Sequence, residues 1–236
     1  GLLYVISLHG PVMMPTAPLE LRYNLVLGSG SPRRQELLQR VGLPYDLRVV
    51  PVDETVDPSW KTDQVAEHLA LQKARAIPID DHELLLTADT LVLCKGQILG
   101  KPKDPAEAVA MLRLLSGNEH DVMTGVCLRT NQKEIILGAR TRLEWYHLDP
   151  KEIDWYVQEY QPLDKAGAYG IQDWMGLRAV KSIQGCPLNV MGLPLPLVYE
   201  RLFSEFSLER GSLNSMQVPD SLESTNAKVP PCNSAI

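Results

Sequence analysis

The stretch over residues 24–38, NLVLGSGSPRRQELL, holds the densest chemistry in the chain. A short apolar run ends in Gly28-Ser29-Gly30, and a helix signature follows at once, with Ser31 as N-cap and Pro32 at the first helical position. Arg33 and Arg34 then fall at the second and third helical positions. A helix N-terminus carries partial positive charge and disfavours cations. Two guanidiniums at that end, beside free backbone N–H groups and a Gly-rich turn, make a cradle for phosphate. The competing reading is a solvated helix face, and the Gly-Ser-Gly turn at a strand end weighs against it. Spacing excludes two other phosphate loops. A dinucleotide fingerprint needs Gly where Arg33 stands. GQILGK at 96–101 is one residue short of a Walker A loop and runs into Pro102.

Further groups fit phosphate chemistry. Asp89, in TADT, follows an apolar run and is expected at a strand's C-terminal edge, where α/β sheets bind ligands. There it could orient a water, accept its proton or hold Mg²⁺; capping a hairpin turn is the alternative. Thr90 beside it reads as a ligand contact or an ordinary strand residue. Lys73, in EHLALQKARA, and Lys101, in GKP, are point charges for phosphate or solvated lysines. Asp53-Glu54 could share a divalent metal with Asp89, or form a surface loop pair. The segment DKAGAYGIQ supplies Lys165 as a cation. It also supplies Gln172, whose amide matches the imide edge of uracil or thymine. No Ser-His-Asp or Cys-His set is evident, so covalent nucleophilic catalysis is not supported.

These residues need a scaffold of alternating strands and helices. Residues 24–28 read as a buried strand and 31–41 as a helix. Strands are expected at 45–50 and 83–88, with a hairpin within 91–99 turning at Lys95-Gly96. Helices are expected at 63–77, at 104–115 behind Asp104-Pro105, and at 149–160 behind Asp149-Pro150. Residues 122–130 and 134–145 read as paired strands, 177–182 as a strand, and 190–206 as a final helix. The expected class is α/β, with a mixed central sheet flanked by helices.

Composition narrows the options. The 236 residues carry 23 Lys+Arg against 29 Asp+Glu, a net charge of −6. That disfavours nucleic-acid or polybasic membrane binding but leaves room for a local basic pocket. Gly and Pro, 16 and 18, stay well below the roughly 25–30 % typical of low complexity. The four cysteines form neither a zinc motif nor a disulfide framework, so a reducing cytoplasm is the expected setting. No apolar run reaches the ~18 residues of a membrane span. Residues 1–20 read as a poorly ordered extension, 21–206 as the folded domain, and 207–236, rich in Ser, as a disordered tail.

Taken together, SGSPRRQELL, LALQKARA, LLLTADTLV, ILGKPKD, AVAMLRLLSGNEHDVMTGV, PLDKAGAYGIQ and NVMGLPL resemble the Maf family of nucleotide pyrophosphatases, in this order over residues 23–206. The AGAYGIQ form looks like the subgroup acting on dTTP and UTP. The resemblance implies two lobes with a nucleotide cleft between them, as in inosine-triphosphatase-like folds, and a homodimer. It implies hydrolysis of a nucleoside triphosphate to the monophosphate and pyrophosphate with Mg²⁺ or Mn²⁺, as house-cleaning of the nucleotide pool. Asp89 matches the family's proton acceptor, with Asp89 and Glu54 as candidate metal ligands. Arg33, Thr90 and Gln172 match specificity positions, and Ser29, Arg34, Lys73, Lys101 and Lys165 match triphosphate positions, with Ser31 beside them. DWMG after Gln172 and GCPLNVMG depart from the family pattern and bear on pocket shape. The alternative is a non-catalytic nucleotide-binding regulator of cell division or septum formation.

Overall fold

The computed structural model describes residues 19–52 and 55–207. Asp53, Glu54, residues 1–18 and residues 208–236 lie outside the described residues, and with them most of the expected extension and tail. In chain order the elements are β1 (Asn24–Leu27), α1 (Pro32–Arg40), β2 (Asp46–Leu47), α2 (Val65–Ala76), β3 (Glu83–Cys94), β4 (Gln97–Leu99) and α3 (Pro105–Leu115). Then come β5 (Glu119–Arg129), β6 (Glu134–Trp145), α4 (Pro150–Tyr160), α5 (Trp174–Ala179), β7 (Val180–Gln184), α6 (Pro187–Val190) and α7 (Leu195–Phe206). The strands form one mixed sheet, ordered β2-β1-β3-β5-β6-β7, with β4 also paired to β3. The pairs β2–β1 and β1–β3 are parallel; the remaining pairs are antiparallel.

Residue chemistry accounts for the boundaries. Asp104 accepts from the Glu107 N–H, and Asp149 with Glu152 completes a capping box, so α3 and α4 start where Asp-Pro predicts. Lys95 and Gly96 take φ of 49° and 77°, the left-handed pair that a tight hairpin turn requires.

Three expectations are corrected. The strand expected at 45–50 pairs only over Asp46–Leu47, and Val49 and Val50 turn away to wall a cavity. The strand expected at 177–182 is the end of α5 followed by β7, because Met175 and Ala179 share the buried face of a helical turn. The helix expected at 190–206 is broken by Gly192, at φ 109°, and Pro194, so α6 and α7 are separate.

β3 organises the core. One face carries Leu84, Leu86 and Ala88, packed in a cluster with Leu37 and Leu38 of α1 and Val198 and Leu202 of α7. Farther along that face, Val92 and Cys94 belong to a second cluster with Leu112 of α3 and Tyr156 of α4. Thr90 lies on the same face between the two clusters. The opposite face holds Leu85 and Leu91 against α2, and Thr87 Oγ1 donates to Ala70 O at 2.7 Å. α2 approaches β5 so closely that a Cβ on Gly125 would stand 2.3 Å from the Ala66 backbone. Leu19 packs in the first cluster, and Leu21 bridges to Ser207, so the two ends of the described chain meet.

Candidate active site

Asp89 lies within the twelve-residue β3, opposite Gly125 of β5, rather than at the end of a strand. The ladder on the other edge of β3 explains its access. β1 pairs with β3 as far as Leu86, and β4 pairs from Val92 onward. Residues 87–91 have no strand partner on that edge among the described residues. A cavity of about 360 Å³ opens at this gap, where the two edge strands part.

Each wall brings a charge or a donor. The turn after β1 brings Gly28, Ser29, Gly30 and Ser31, and α1 brings Arg33 and Arg34. α2 brings Lys73, the loop after β4 brings Lys101, and the segment after α4 brings Asp164 and Lys165. Asp89 and Thr90 line the cavity from β3. Val49, Val50, Val92 and Tyr169 supply apolar surface. Ten of the twelve residues singled out from the sequence can be placed, and nine of those line this cavity. Gln172 does not: it is exposed, two residues beyond Gly170, which does line it. Asp53 and Glu54 are outside the described residues.

Arg34 is buried, and its guanidinium acts as a brace. Nε donates to Gly192 O at 2.7 Å, one terminal nitrogen to Ser29 Oγ at 2.8 Å and the other to Thr90 Oγ1 at 3.0 Å. Thr90 Oγ1 meets Thr124 Oγ1 at 3.0 Å, and Thr124 Oγ1 donates to Asn189 O at 3.3 Å. Asn189, fully buried, donates from Nδ2 to Val122 O and Thr141 Oγ1, both at 3.0 Å. This polar chain ties α1 to the β5–β6 core and fixes the inner wall. Sequence reasoning gave no role to Thr124, Asn189 or Gly192, although Asn189 and Gly192 stand in the NVMG stretch it singled out.

The charges fall into two groups. Lys73 Nζ contacts Asp89 Oδ1 at 2.5 Å. Asp164, whose role sequence reasoning also missed, bridges Arg33 and Lys165, each at 2.8 Å. Burial pushes the Asp164 pKa up, but the hydrogen bonds and charges of Lys165 and Arg33 outweigh it and hold the value at about 2. Among the described lining residues, Arg33, Arg34, Lys73, Lys101 and Lys165 outnumber Asp89 and Asp164 by three charges. The cavity is therefore a positive site in a chain of net charge −6. Tyr169 is fixed by a 2.8 Å hydrogen bond between its hydroxyl and His120 Nε2, and by the edge of its ring against Trp145.

No group of three His, Cys, Asp or Glu side chains could hold a metal among the described residues. A protein cage for a metal is thus absent there. The donor set still fits Mg²⁺, which commonly takes one or two carboxylates and completes its shell with phosphate oxygens and water. The Asp89 carboxylate, which meets Lys73 through Oδ1, presents Oδ2 as a suitable oxygen for such a site.

A mixed α/β sheet with a cationic cleft and one carboxylate at its strand gap is an α/β scaffold suited to an anionic substrate. The family description for Maf-like protein matches residues 24–205, and the chain belongs to that family. A protein of Bacteroides fragilis called dTTP/UTP pyrophosphatase is 45 % identical over 184 residues, 77 % of this chain and 95 % of that protein. Proteins with the same name from Porphyromonas gingivalis and Christiangramia forsetii are 42 % and 41 % identical, over 77 % and 76 % of this chain and 94 % and 93 % of theirs. The solved structure of a nucleoside-triphosphatase / dITP/XTP pyrophosphatase from Mycobacterium abscessus gives a TM-score of 0.34 at 14 % identity. That match covers 53 % of this chain and 75 % of the other, and is too weak to bear on fold or substrate.

Proposed function

We propose that this protein hydrolyses nucleoside triphosphates, dTTP and UTP foremost with their modified pyrimidine analogues, to the monophosphate and pyrophosphate. One observation carries the reading: Asp89 stands at the strand gap, ion-paired to Lys73, in the same cavity as Arg34, Lys101 and Lys165. The relatives named dTTP/UTP pyrophosphatase support the substrate class.

The triphosphate lies along the cations, with its α-phosphorus toward Asp89. Asp89 takes the proton of the attacking water, and Lys73 fixes the carboxylate's orientation. Charge developing on the non-bridging oxygens and the leaving pyrophosphate is met by Arg34, Lys101 and Lys165. Mg²⁺ or Mn²⁺, held by Asp89 with Glu54 as the second candidate, would neutralise charge on the phosphate oxygens. The chemistry is in-line displacement by water, and no residue forms a covalent link. Arg33, Thr90, Ser29 and Ser31 line the same cavity and contact the nucleotide; Gln172 reads the pyrimidine edge if its turn moves inward when nucleotide binds. The family resemblance further supports a homodimer. The cysteine pattern supports a cytoplasmic setting; among the described residues no helix is long and apolar enough to cross a membrane.

A regulator of cell division that binds nucleotide without turnover would need the cations but not the Asp89–Lys73 pair, so the pair favours catalysis. The test incubates the protein with Mg²⁺ or Mn²⁺ and a panel of canonical and modified triphosphates, and measures pyrophosphate and orthophosphate separately. Pyrophosphate from dTTP and UTP is expected. Pyrophosphate chiefly from purines overturns the base assignment, and tight binding without turnover moves the protein to the regulator class.

A further inference from the structure

Asp164 stands at the cavity wall and holds two cations that come from separate parts of the chain. Arg33, on the first turn of α1, donates a 2.8 Å hydrogen bond to Oδ2 and reaches the Asp164 carbonyl at 3.3 Å. Lys165 Nζ takes Oδ1 at 2.8 Å. Each carboxylate oxygen therefore holds one cation, as a phosphate oxygen would. Arg33 and Lys165 are mostly buried, at 20 % and 18 % side-chain exposure, while Asp164 is 56 % exposed. The carboxylate is thus the most exposed of the three, with solvent on its open side while the cations face the cavity. The segment that carries it is anchored beside Lys101, because the Gly167 N–H donates to Gly100 O at 3.0 Å.

We propose that Asp164 is a resident anion that competes with the phosphate chain for Arg33 and Lys165, and so sets how tightly the site holds both substrate and pyrophosphate. The inference rests on the pyrophosphatase reading above. A ligand reaching these cations displaces a tethered carboxylate, and one that leaves it in place meets a like charge beside its phosphates. Both routes weaken anion binding, so removing the charge strengthens it. When pyrophosphate departs, the carboxylate is at hand to take back the two cations, which favours release of a multiply charged product. A carboxylate that served only to order the loop predicts the reverse, since its loss would leave Arg33 and Lys165 unplaced.

The test measures pyrophosphate binding by calorimetry to the full chain, to Asp164→Asn and to Asp164→Glu, alongside UTP hydrolysis. Asp164→Asn is expected to bind pyrophosphate about tenfold more tightly, with a lower KM for UTP and stronger inhibition by pyrophosphate. Asp164→Glu, which keeps the charge, stays within about twofold of the parent. The gain in Asp164→Asn shrinks at high salt, where exposed charges are screened. Unchanged or weaker pyrophosphate binding in Asp164→Asn, with a parent that binds and turns over UTP, overturns the competitor role alone. A parent that neither binds pyrophosphate nor hydrolyses any triphosphate overturns the pyrophosphatase reading, and the competitor with it.

Discussion

Lys73 Nζ and Asp89 Oδ1 lie 2.5 Å apart, joining the last turns of α2 to the stretch of β3 that no edge strand covers. The ammonium fixes one carboxylate oxygen and leaves the other for a water or a metal. Asp89→Asn keeps a hydrogen-bond acceptor for Lys73 but removes the base. Its kcat for UTP should fall by roughly 100-fold or more, with an unchanged far-ultraviolet circular dichroism spectrum. Parent-like turnover in the folded variant contradicts the role.

Arg34 is judged by what it braces. Its three donors reach Gly192 O, Ser29 Oγ and Thr90 Oγ1, in three directions from a planar fork. Arg34→Lys supplies charge without that geometry and should recover little. Arg34→Ala leaves buried acceptors unmatched and should cost roughly 2–4 kcal/mol in urea denaturation. A KM effect with no loss of stability would show that Arg34 binds phosphate without bracing the wall.

The distance between α2 and the sheet is set at Gly125. Its added Cβ would meet Ala66 and Glu67 backbone atoms 2.3 Å away, which no rotamer change relieves. Gly125→Ala should cost roughly 3 kcal/mol and lower kcat as well, because the helix that moves carries Lys73. Thermal denaturation and turnover of the same preparation check both effects.

Much of this was legible in the sequence. The Gly-Ser-Gly turn and Pro32 placed α1, and the Asp-Pro pairs placed α3 and α4, because caps and turns are local physics. Arg33, Arg34, Lys73, Asp89, Lys101 and Lys165 were each visible as residue types, and the cavity collects all six. Their pairing was not legible. Whether Lys73 meets phosphate or Asp89 depends on how closely α2 approaches β5, which is fixed by a glycine far along the chain. Asp164 stands next to Lys165, yet its bridge to Arg33 spans 131 residues. The place of Asp89 inside its strand is hidden for a similar reason. The polar stretch TADT reads as a break between two apolar runs, yet β3 continues through it, and the gap arises only on one edge, where β1 stops and β4 begins.

Burial lowers the His120 pKa to about 4, outweighing the opposing charge of Asp121. The folded state therefore resists protonation that the unfolded chain accepts below its ordinary 6.5. Stability contributed by neutral His120 is complete above pH 6.5 and is lost as pH falls to about 4, a loss of roughly 3 kcal/mol over the window. His120→Gln can keep the hydrogen bond to Tyr169 without titrating. Urea denaturation at several pH values should show a flatter profile for the variant between 6.5 and 4. Equal slopes in the two proteins would count against a neutral buried imidazole.

The most direct test of the central claim follows the oxygen of the attacking water. UTP is hydrolysed by the full chain with Mg²⁺ in water enriched in oxygen-18, and both products are analysed by mass spectrometry. Attack at the α-phosphorus beside Asp89 places the label in the nucleoside monophosphate and leaves pyrophosphate unlabelled. Label in pyrophosphate would mean attack at the β-phosphorus, and label in orthophosphate would mean attack at the γ-phosphorus; either result contradicts the geometry assigned to Asp89.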